Sequence, residues 1–458
     1  MMSVRDAARA VQGELSGENA YFTGVSTDSR TAGHGDLFIA LVGDKFDGHD
    51  FIAEVKARGA VAAMVCHEFP AGLPEAGIPL IRVENTRLGL GKLAGYWRGQ
   101  FDIPVVAVTG SNGKTTVKEM IACILRHAAG TAAQAGGPDK VLATEGNLNN
   151  DIGVPLMLLR LRERHRYAVI EMGMNHAGEI SYLTRLTRPD VALITNAGIA
   201  HVEDLSSVEA VARAKGEIFE GLHSHGTAVI NADDPHASLW RKLAGNRRIV
   251  EFGFEDAPEV SARYQLDFFS ARVSLVLPDG TQDVVLRVPG EHNVRNALAA
   301  AAASVALGAG LEAIASGLGE FNGVKGRMQK KRGLHGATLI DDSYNANPES
   351  VRAALSVLAK AGGKKILILG DMGELGHGAR AFHERIGEET RAAGIDKLFT
   401  LGELSAYTTA TFGLGARHFE RVEELQSEVQ GLLAPNVTLL IKGSRFMKME
   451  RVVKSIEA

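Results

Sequence analysis

The chain has 458 residues, is 45% hydrophobic with mean hydropathy near zero, and carries a formal charge of −4 at pH 7. That length suits about two to four domains. The charge excludes a general nucleic-acid or anionic-membrane binder, two cysteines (Cys66 and Cys123) exclude a disulfide framework, and no stretch of about 20 apolar residues is free of charge. The charged start, with Arg5, Asp6 and Arg9, does not read as a signal peptide. The expectation is a cytoplasmic monomer with neither nucleic acid nor membrane as partner.

Residues 1–101 read as a first α/β module. Strands are expected at 24–26, 37–41 and 61–65, with a helix over 50–58 stopped by Gly59. The Gly- and Pro-containing stretch 69–79 reads as a loop. A helix over 87–101 leads into Asp102-Ile103-Pro104, a hinge. Residues 102–325 alternate apolar strands (105–109, 167–171, 191–195, 227–231) with helical patterns, which points to a parallel sheet covered on both faces. The stretch 247–289 is strand-rich and reads as an antiparallel extension. A boundary falls near Gly323-Val324-Lys325-Gly326-Arg327. Beyond it, residues 326–458 alternate again, with strands at 337–341, 365–369, 397–401 and 437–441, a second and smaller α/β unit.

Residues 107–116 read Ala-Val-Thr-Gly-Ser-Asn-Gly-Lys-Thr-Thr. A buried strand runs into a glycine-rich loop and then a helix over 117–127. Gly110 and Gly113 permit a tight turn, so the N–H groups around Ser111 and Asn112 can face an anion. Lys114 supplies a cation to the outer phosphates, and Thr115 or Thr116 a hydroxyl for Mg²⁺. Val108 stands where the usual G-x-x-x-x-G-K-[ST] pattern has its first glycine. The loop predicts a nucleoside triphosphate.

Other residues sit where an α/β sheet binds ligands, at strand ends. Glu171 ends strand 167–171, and His201 follows strand 191–195 and the turn Asn196-Ala197-Gly198. A carboxylate and an imidazole there suit Mg²⁺ or Mn²⁺; a solvated strand-end acid and a loop histidine are the plain alternatives. Lys215, in a helix over 207–222, reads on its own as a surface lysine. Asn293 and Asn296 lie three apart at the start of a helix, where their carboxamides can meet an adenine edge or Asn293 can cap the helix. Asp341 and Asp342 follow a strand and suit a ribose diol, or a polar turn. Lys442 and Arg445 follow the last strand and can hold a carboxylate. Cys123 reads as core.

Together these motifs resemble the ATP-dependent Mur ligases of peptidoglycan synthesis, in order and over nearly the whole chain. Thr27-Asp28-Ser29-Arg30, with residues 35–41, is similar to the family's nucleotide-sugar module. Residues 109–116 are similar to the family's own phosphate loop, which accounts for Val108. Gly146-Asn147-Leu148-Asn149-Asn150, residues 171–174, and 196–198 with His201 are similar to its central domain. Asp341-Asp342-Ser343-Tyr344-Asn345-Ala346-Asn347-Pro348 and residues 370–376 resemble the branch that adds D-alanyl-D-alanine.

The resemblance implies three domains: an N-terminal α/β module for the UDP-sugar peptide (1–101), a central P-loop ATPase-like parallel sheet (102–325) and a C-terminal Rossmann-like domain (326–458). It implies an amide ligase whose substrates are ATP, UDP-N-acetylmuramoyl-tripeptide and D-alanyl-D-alanine, working through an acyl phosphate. Lys114, His201, Lys215 and Arg327 are then the catalytic groups. The nucleotide would lie on Gly110, Ser111, Asn112, Gly113, Lys114, Thr115 and Thr116, with Asn293, Asn296, Arg327 and Asp342. Thr115, Thr116, Glu171, His201 and a carbamylated Lys215 would hold Mg²⁺ or Mn²⁺. Thr27, Asp28, Ser29, Arg30, Asn147, Asn149, Asn150, Asn345, Asn347, Lys442 and Arg445 would meet the two other substrates.

Overall fold

The computed structural model describes residues 1–68, 77–130, 139–199, 207–255 and 257–458. The fold is α/β, with three sheet-centred units in chain order. The first sheet has five strands in the order Glu14–Ser16, Leu80–Val83, Ala62–Cys66, Asp36–Ile39 and Gly24–Ser26. Only the first of these is antiparallel to its neighbour. The expected helix over 50–58 begins as a 3₁₀ turn, Gly48–Phe51, and continues as Ile52–Ala57; Gly59, at φ +99°, turns the chain out of it.

The expected hinge at 102–104 is tied down. Arg98 is buried, and its guanidinium donates to the carbonyls of Phe101 (2.6 Å), Ile103 (3.3 Å) and Thr187 (3.0 Å). A planar fork of donors suits three carbonyls that would otherwise lack partners, and it fastens the first unit's last helix, Thr86–Arg98, to the second unit.

The second unit holds a six-stranded, fully parallel sheet in the order Arg248–Phe252, Thr227–Asn231, Val191–Ile194, Val105–Thr109, Tyr167–Glu171 and Val141–Ala143. Its central strands are buried on both faces, which is why they read as unbroken apolar runs. An antiparallel sheet, Ser261–Leu266, Ala271–Leu277 and Gly280–Leu286, forms the expected extension. It begins later than expected: Arg248–Phe252 pairs in parallel with Thr227–Asn231 and closes the main sheet.

Helix Lys114–Ala128 packs against the alanine-rich helix Glu291–Ala306 and against Leu311–Glu320. A Cβ on Gly317 would lie 2.4 Å from Ile124 Cα, so that crossing depends on the missing side chain. The single helix expected over 207–222 is two elements, Val208–Gly216 and a 3₁₀ turn, Glu217–Gly221. Gly216 is a poor helix former, and Thr184 Oγ1 donates to the Ile218 carbonyl (2.8 Å), so the chain can leave the α-helix with that acceptor satisfied.

The third sheet also has six strands: Gln329–Arg332, Thr338–Asp342, Val437–Lys442, Lys364–Gly370, Lys397–Leu401 and Ala416–Phe419. The first is antiparallel to the second and the rest are parallel. Among the described residues no helix is long and apolar enough to cross a membrane.

Candidate active site

The phosphate loop leaves the central strand Val105–Thr109 and enters helix Lys114–Ala128. Lys114 is that helix's first residue, three positions earlier than the expected helical stretch. Gly110 (φ +147°) and Gly113 (φ +85°) take conformations that L side chains resist. They are also crowded: a Cβ on Gly110 would lie 1.8 Å from Thr195 Oγ1, and one on Gly113 would lie 2.4 Å from Asn296 Oδ1. The neighbouring strand-end turn braces the loop. Ser111 N donates to Asn196 O (2.9 Å), Asn112 N to Asn196 Oδ1 (2.9 Å), and Thr195 Oγ1 to Asn112 O (2.6 Å). The result is a rigid cradle at a helix N-terminus, the geometry that binds phosphate.

Lys114 Nζ donates to the carbonyls of Gly110 (2.7 Å) and Ser111 (3.3 Å), both neutral acceptors. Burial holds its ammonium below the ordinary lysine range; Glu171 acts the other way. Glu171 is 2% exposed. Its Oε1 accepts from Asn149 Nδ2 (2.8 Å), while Oε2 is buried and has no hydrogen-bond partner. A buried carboxylate oxygen left without a donor is costly unless a cation completes it.

Lys215 is 1% exposed and so is not the surface lysine that its sequence context suggests. It has no hydrogen bond or ion pair among the described residues. Burial, and then the nearby Lys114, push its ammonium well below the ordinary range, so the site disfavours the charged form. His201 lies outside the described residues. Among the described residues no group of three or more His, Cys, Asp or Glu forms a metal cluster.

The cleft measures about 1170 Å³, and the second and third units form its walls. Arg327, just inside the third unit, donates from Nη2 to Thr115 Oγ1 (2.9 Å) and stacks on Tyr344 (4.2 Å from the ring centre). Asp342 accepts from Met328 N (3.1 Å) and from Lys442 Nζ (2.5 Å); Lys442 also donates to Asn345 O (2.9 Å). Arg445 pairs with Glu450 (3.0 Å) and stays largely exposed. Burial lowers the imidazole of His292, on the cleft wall, to about 4.

Among the predicted site residues, the cleft brings together Ser111 to Thr116, Asn147, Asn149, Asn150, Glu171, Asn293, Asn296, Arg327, Asp342, Asn345, Asn347, Lys442 and Arg445. Several already have internal work. Asn293 does not cap its helix; Nδ2 donates to Pro289 O and Oδ1 accepts from Asn296 Nδ2 (3.1 Å), leaving Asn296 Oδ1 toward Gly113. Asn150 Oδ1 accepts from Gly153 N (2.8 Å), and Asn347 caps helix Pro348–Leu358. Thr27, Asp28, Ser29 and Arg30 do not line the cleft. Asp28 pairs with Arg30 (2.6 Å), which holds its carboxyl at about 2.

Sequence reasoning missed Glu349, Tyr344 and His292. Glu349 accepts from Asn112 Nδ2 (3.1 Å), a residue 237 positions away, and no local pattern announces such a contact.

Comparison with known proteins agrees with this geometry. "Mur ligase family, catalytic domain" matches residues 21–98, "Mur ligase middle domain" residues 108–304, and "Mur ligase, glutamate ligase domain" residues 326–445. The UDP-N-acetylmuramoyl-tripeptide–D-alanyl-D-alanine ligase of Escherichia coli K12 is 42% identical, over 98% of this chain and 96% of that protein. The Bacillus subtilis protein of the same name is 34% identical, over 99% and 98%. The crystal structure of MurF from Acinetobacter baumannii matches with a TM-score of 0.89 at 37% identity, over 98% of this chain and 97% of that one. MurF ligase from Thermotoga maritima in complex with ADP matches with a TM-score of 0.81 at 26% identity, over 94% and 96%. With three family domains matched in order and such relatives along its whole length, the chain belongs to the Mur ligase family.

Proposed function

We propose that this chain joins D-alanyl-D-alanine to UDP-N-acetylmuramoyl-tripeptide, converting ATP to ADP and phosphate, in the synthesis of peptidoglycan precursors. One observation carries the reading. A braced phosphate loop, a buried carboxylate with an unpartnered oxygen and the third unit's cations converge on one cleft, in a chain 42% identical along its length to a ligase of that name.

A carboxylate is an unreactive acyl group until one of its oxygens becomes a good leaving group. The tripeptide's terminal carboxylate attacks the γ-phosphorus of ATP, giving an acyl phosphate and ADP. The free amine of D-alanyl-D-alanine then attacks the acyl carbon, and the tetrahedral intermediate expels phosphate. Both nucleophile and electrophile begin as anions or their neighbours, so cations must hold them together. Lys114, whose hydrogen bonds go only to neutral carbonyls, can turn to the transferring phosphate. Arg327 reaches the loop at Thr115 from the other side. The N-terminus of helix Lys114–Ala128 adds its dipole.

The residues present suit Mg²⁺. Thr115 or Thr116, Glu171, His201 and a carbamylated Lys215 would hold it. Bound there, the ion would neutralise charge between the two anions. CO₂ adds to a neutral amine, burial disfavours the charged form of Lys215, and a carbamate there would turn a would-be cation into an anionic oxygen ligand.

In this reading residues 1–101 carry the UDP end through Thr27 to Arg30, residues 102–325 carry ATP, with Asn296 at adenine, and residues 326–458 carry D-alanyl-D-alanine, with Asp342 at ribose and Lys442 and Arg445 toward carboxylates. In this reading the enzyme acts as a cytoplasmic monomer.

A phosphate-release assay tests the reading. Release should require ATP, the nucleotide-tripeptide and D-alanyl-D-alanine together. Hydroxylamine should trap an acyl hydroxamate when the dipeptide is withheld. Steady ATP hydrolysis with neither co-substrate present would mark a nucleotidase instead.

A further inference from the structure

One contact between the second and third units has no part in the chemistry above. Glu349 stands in the first turn of helix Pro348–Leu358. Its Oε2 accepts from Asn112 Nδ2 (3.1 Å), at the middle of the phosphate loop, and its Oε1 accepts from Ile199 N (2.9 Å), in the turn that braces that loop. The other edge of the Asn112 carboxamide accepts from Asn347 Nδ2 (2.9 Å), and Asn347 is locked by a reciprocal cap with Ser350. Gly198 makes room: a Cβ there would lie 1.8 Å from Glu349 Oε2. Burial pushes the Glu349 carboxyl up, and the Ile199 N–H opposes that. The fold thus holds a desolvated acid beside a phosphate site, where electrostatics alone would not put one.

We propose that Glu349 is a positioning residue, an interdomain latch that registers the third domain on the phosphate loop and its bracing turn. With that register set, Arg327 meets Thr115 and the third domain's amine site faces the acyl phosphate. The last clause rests on the ligase reading; the latch itself does not.

A glutamate in the first turn of a helix has a plainer use, since it complements the helix dipole. Two variants separate the roles. Glu349→Asp keeps the charge in that turn but is one methylene too short to span both donors. Glu349→Gln keeps the length but cannot satisfy both. If its Oε1 accepts from Ile199, its amide faces Asn112 Nδ2, donor against donor. Flipping Asn112 to correct that would break the bond from Asn347.

The test is hydrogen–deuterium exchange on the full chain without ligands, followed by steady-state kinetics. In both variants, exchange should rise in peptides covering 110–114 and 195–199, with the melting temperature nearly unchanged. The kcat should fall about tenfold, the scale of losing charge-assisted hydrogen bonds, while the KM for ATP stays within about threefold. A rise confined to 348–358 would mean helix capping only and overturns the latch. So would unchanged exchange, or changed exchange with an unchanged kcat. If the wild-type chain shows no turnover dependent on D-alanyl-D-alanine, the ligase reading falls and the exchange result alone decides the latch.

Discussion

Lys215→Met separates a functional buried amine from a structural one, because the two roles predict opposite changes in stability. Lys215 is 1% exposed and has no described partner, and burial already holds its ammonium well below the ordinary range. Methionine matches its length and flexibility and has no polar group to desolvate. With no partner to lose among the described residues, replacing the buried amine should stabilise the fold by about 1–3 kcal/mol. For a domain of this size that is a rise of roughly 2–4 °C in melting temperature per kcal/mol.

The sign with pH follows from linkage. The folded pKa lies below the unfolded value, so below the ordinary lysine pKa the unfolded chain binds the extra proton. Wild-type stability therefore falls as pH drops from that value toward the folded pKa. The variant lacks this penalty, so its advantage is largest at low pH and closes at alkaline pH. Calorimetry across that range measures it. Phosphate release under saturating substrates should meanwhile fall about 10²-fold or more, because the carbamate oxygens go with the amine. Stripping CO₂ from the wild type should lower its activity, and bicarbonate should restore it, with no such response in the variant. A variant that melts lower would give Lys215 a hidden structural partner, and a variant with normal activity would refute the carbamate.

Lys114→Ala should cost about 10²-fold or more in kcat without lowering the melting temperature much, since Lys114 bonds only to carbonyls of its own loop; near-normal turnover would remove the phosphate-loop assignment. Gly113→Ala combines a left-handed backbone with a Cβ 2.4 Å from Asn296 Oδ1. It should weaken ADP binding by calorimetric titration, with a backbone cost of about 1–2 kcal/mol. Glu171→Gln should raise the Mg²⁺ concentration needed for half-maximal activity, because the unpartnered Oε2 becomes a donor; an unchanged Mg²⁺ titration would take Glu171 out of the metal site.

What the sequence disclosed depended on the range of the interaction. The central strands 105–109, 167–171 and 227–231 were legible because burial on both faces leaves an unbroken apolar run. Leu80–Val83 was not, although it lies inside its sheet: it follows a Gly- and Pro-containing stretch, and its four residues include a charge, Arg82. The end of the main sheet was misplaced because Arg248–Phe252 and the hairpins after it have the same strand-like composition; only the partner, Thr227–Asn231, makes one parallel. Lys215 had a usable signal. It follows Val211 by four and precedes Phe219 by four, on the face of the helix that the core takes up.

Lys114, Lys215, Lys442 and Arg445 fall into two groups by how they are held, and the division bears on mechanism. Lys442 and Arg445 are already engaged by carboxylates, Asp342 and Glu450. A substrate carboxylate reaching either must displace a charged partner, so much of the gross attraction is lost. Such residues discriminate by geometry more than they add affinity. Lys114 is held by neutral carbonyls, and the Lys215 amine by no described group. Charge arriving near either displaces no acid hydrogen-bonded to it among the described residues, although Glu171 acts on Lys114 through space, and burial keeps solvent from screening it. Stabilisation that appears only when charge develops is what lowers a barrier. The sequence could name all four residues, but the engagement of Lys442 and Arg445 depends on Asp342 and Glu450, acids supplied by the third unit's own folding. On the proposed reading, the second unit holds Lys114 and Lys215 without a hydrogen-bonded acid among the described residues, and the third unit's paired cations choose what is brought to them.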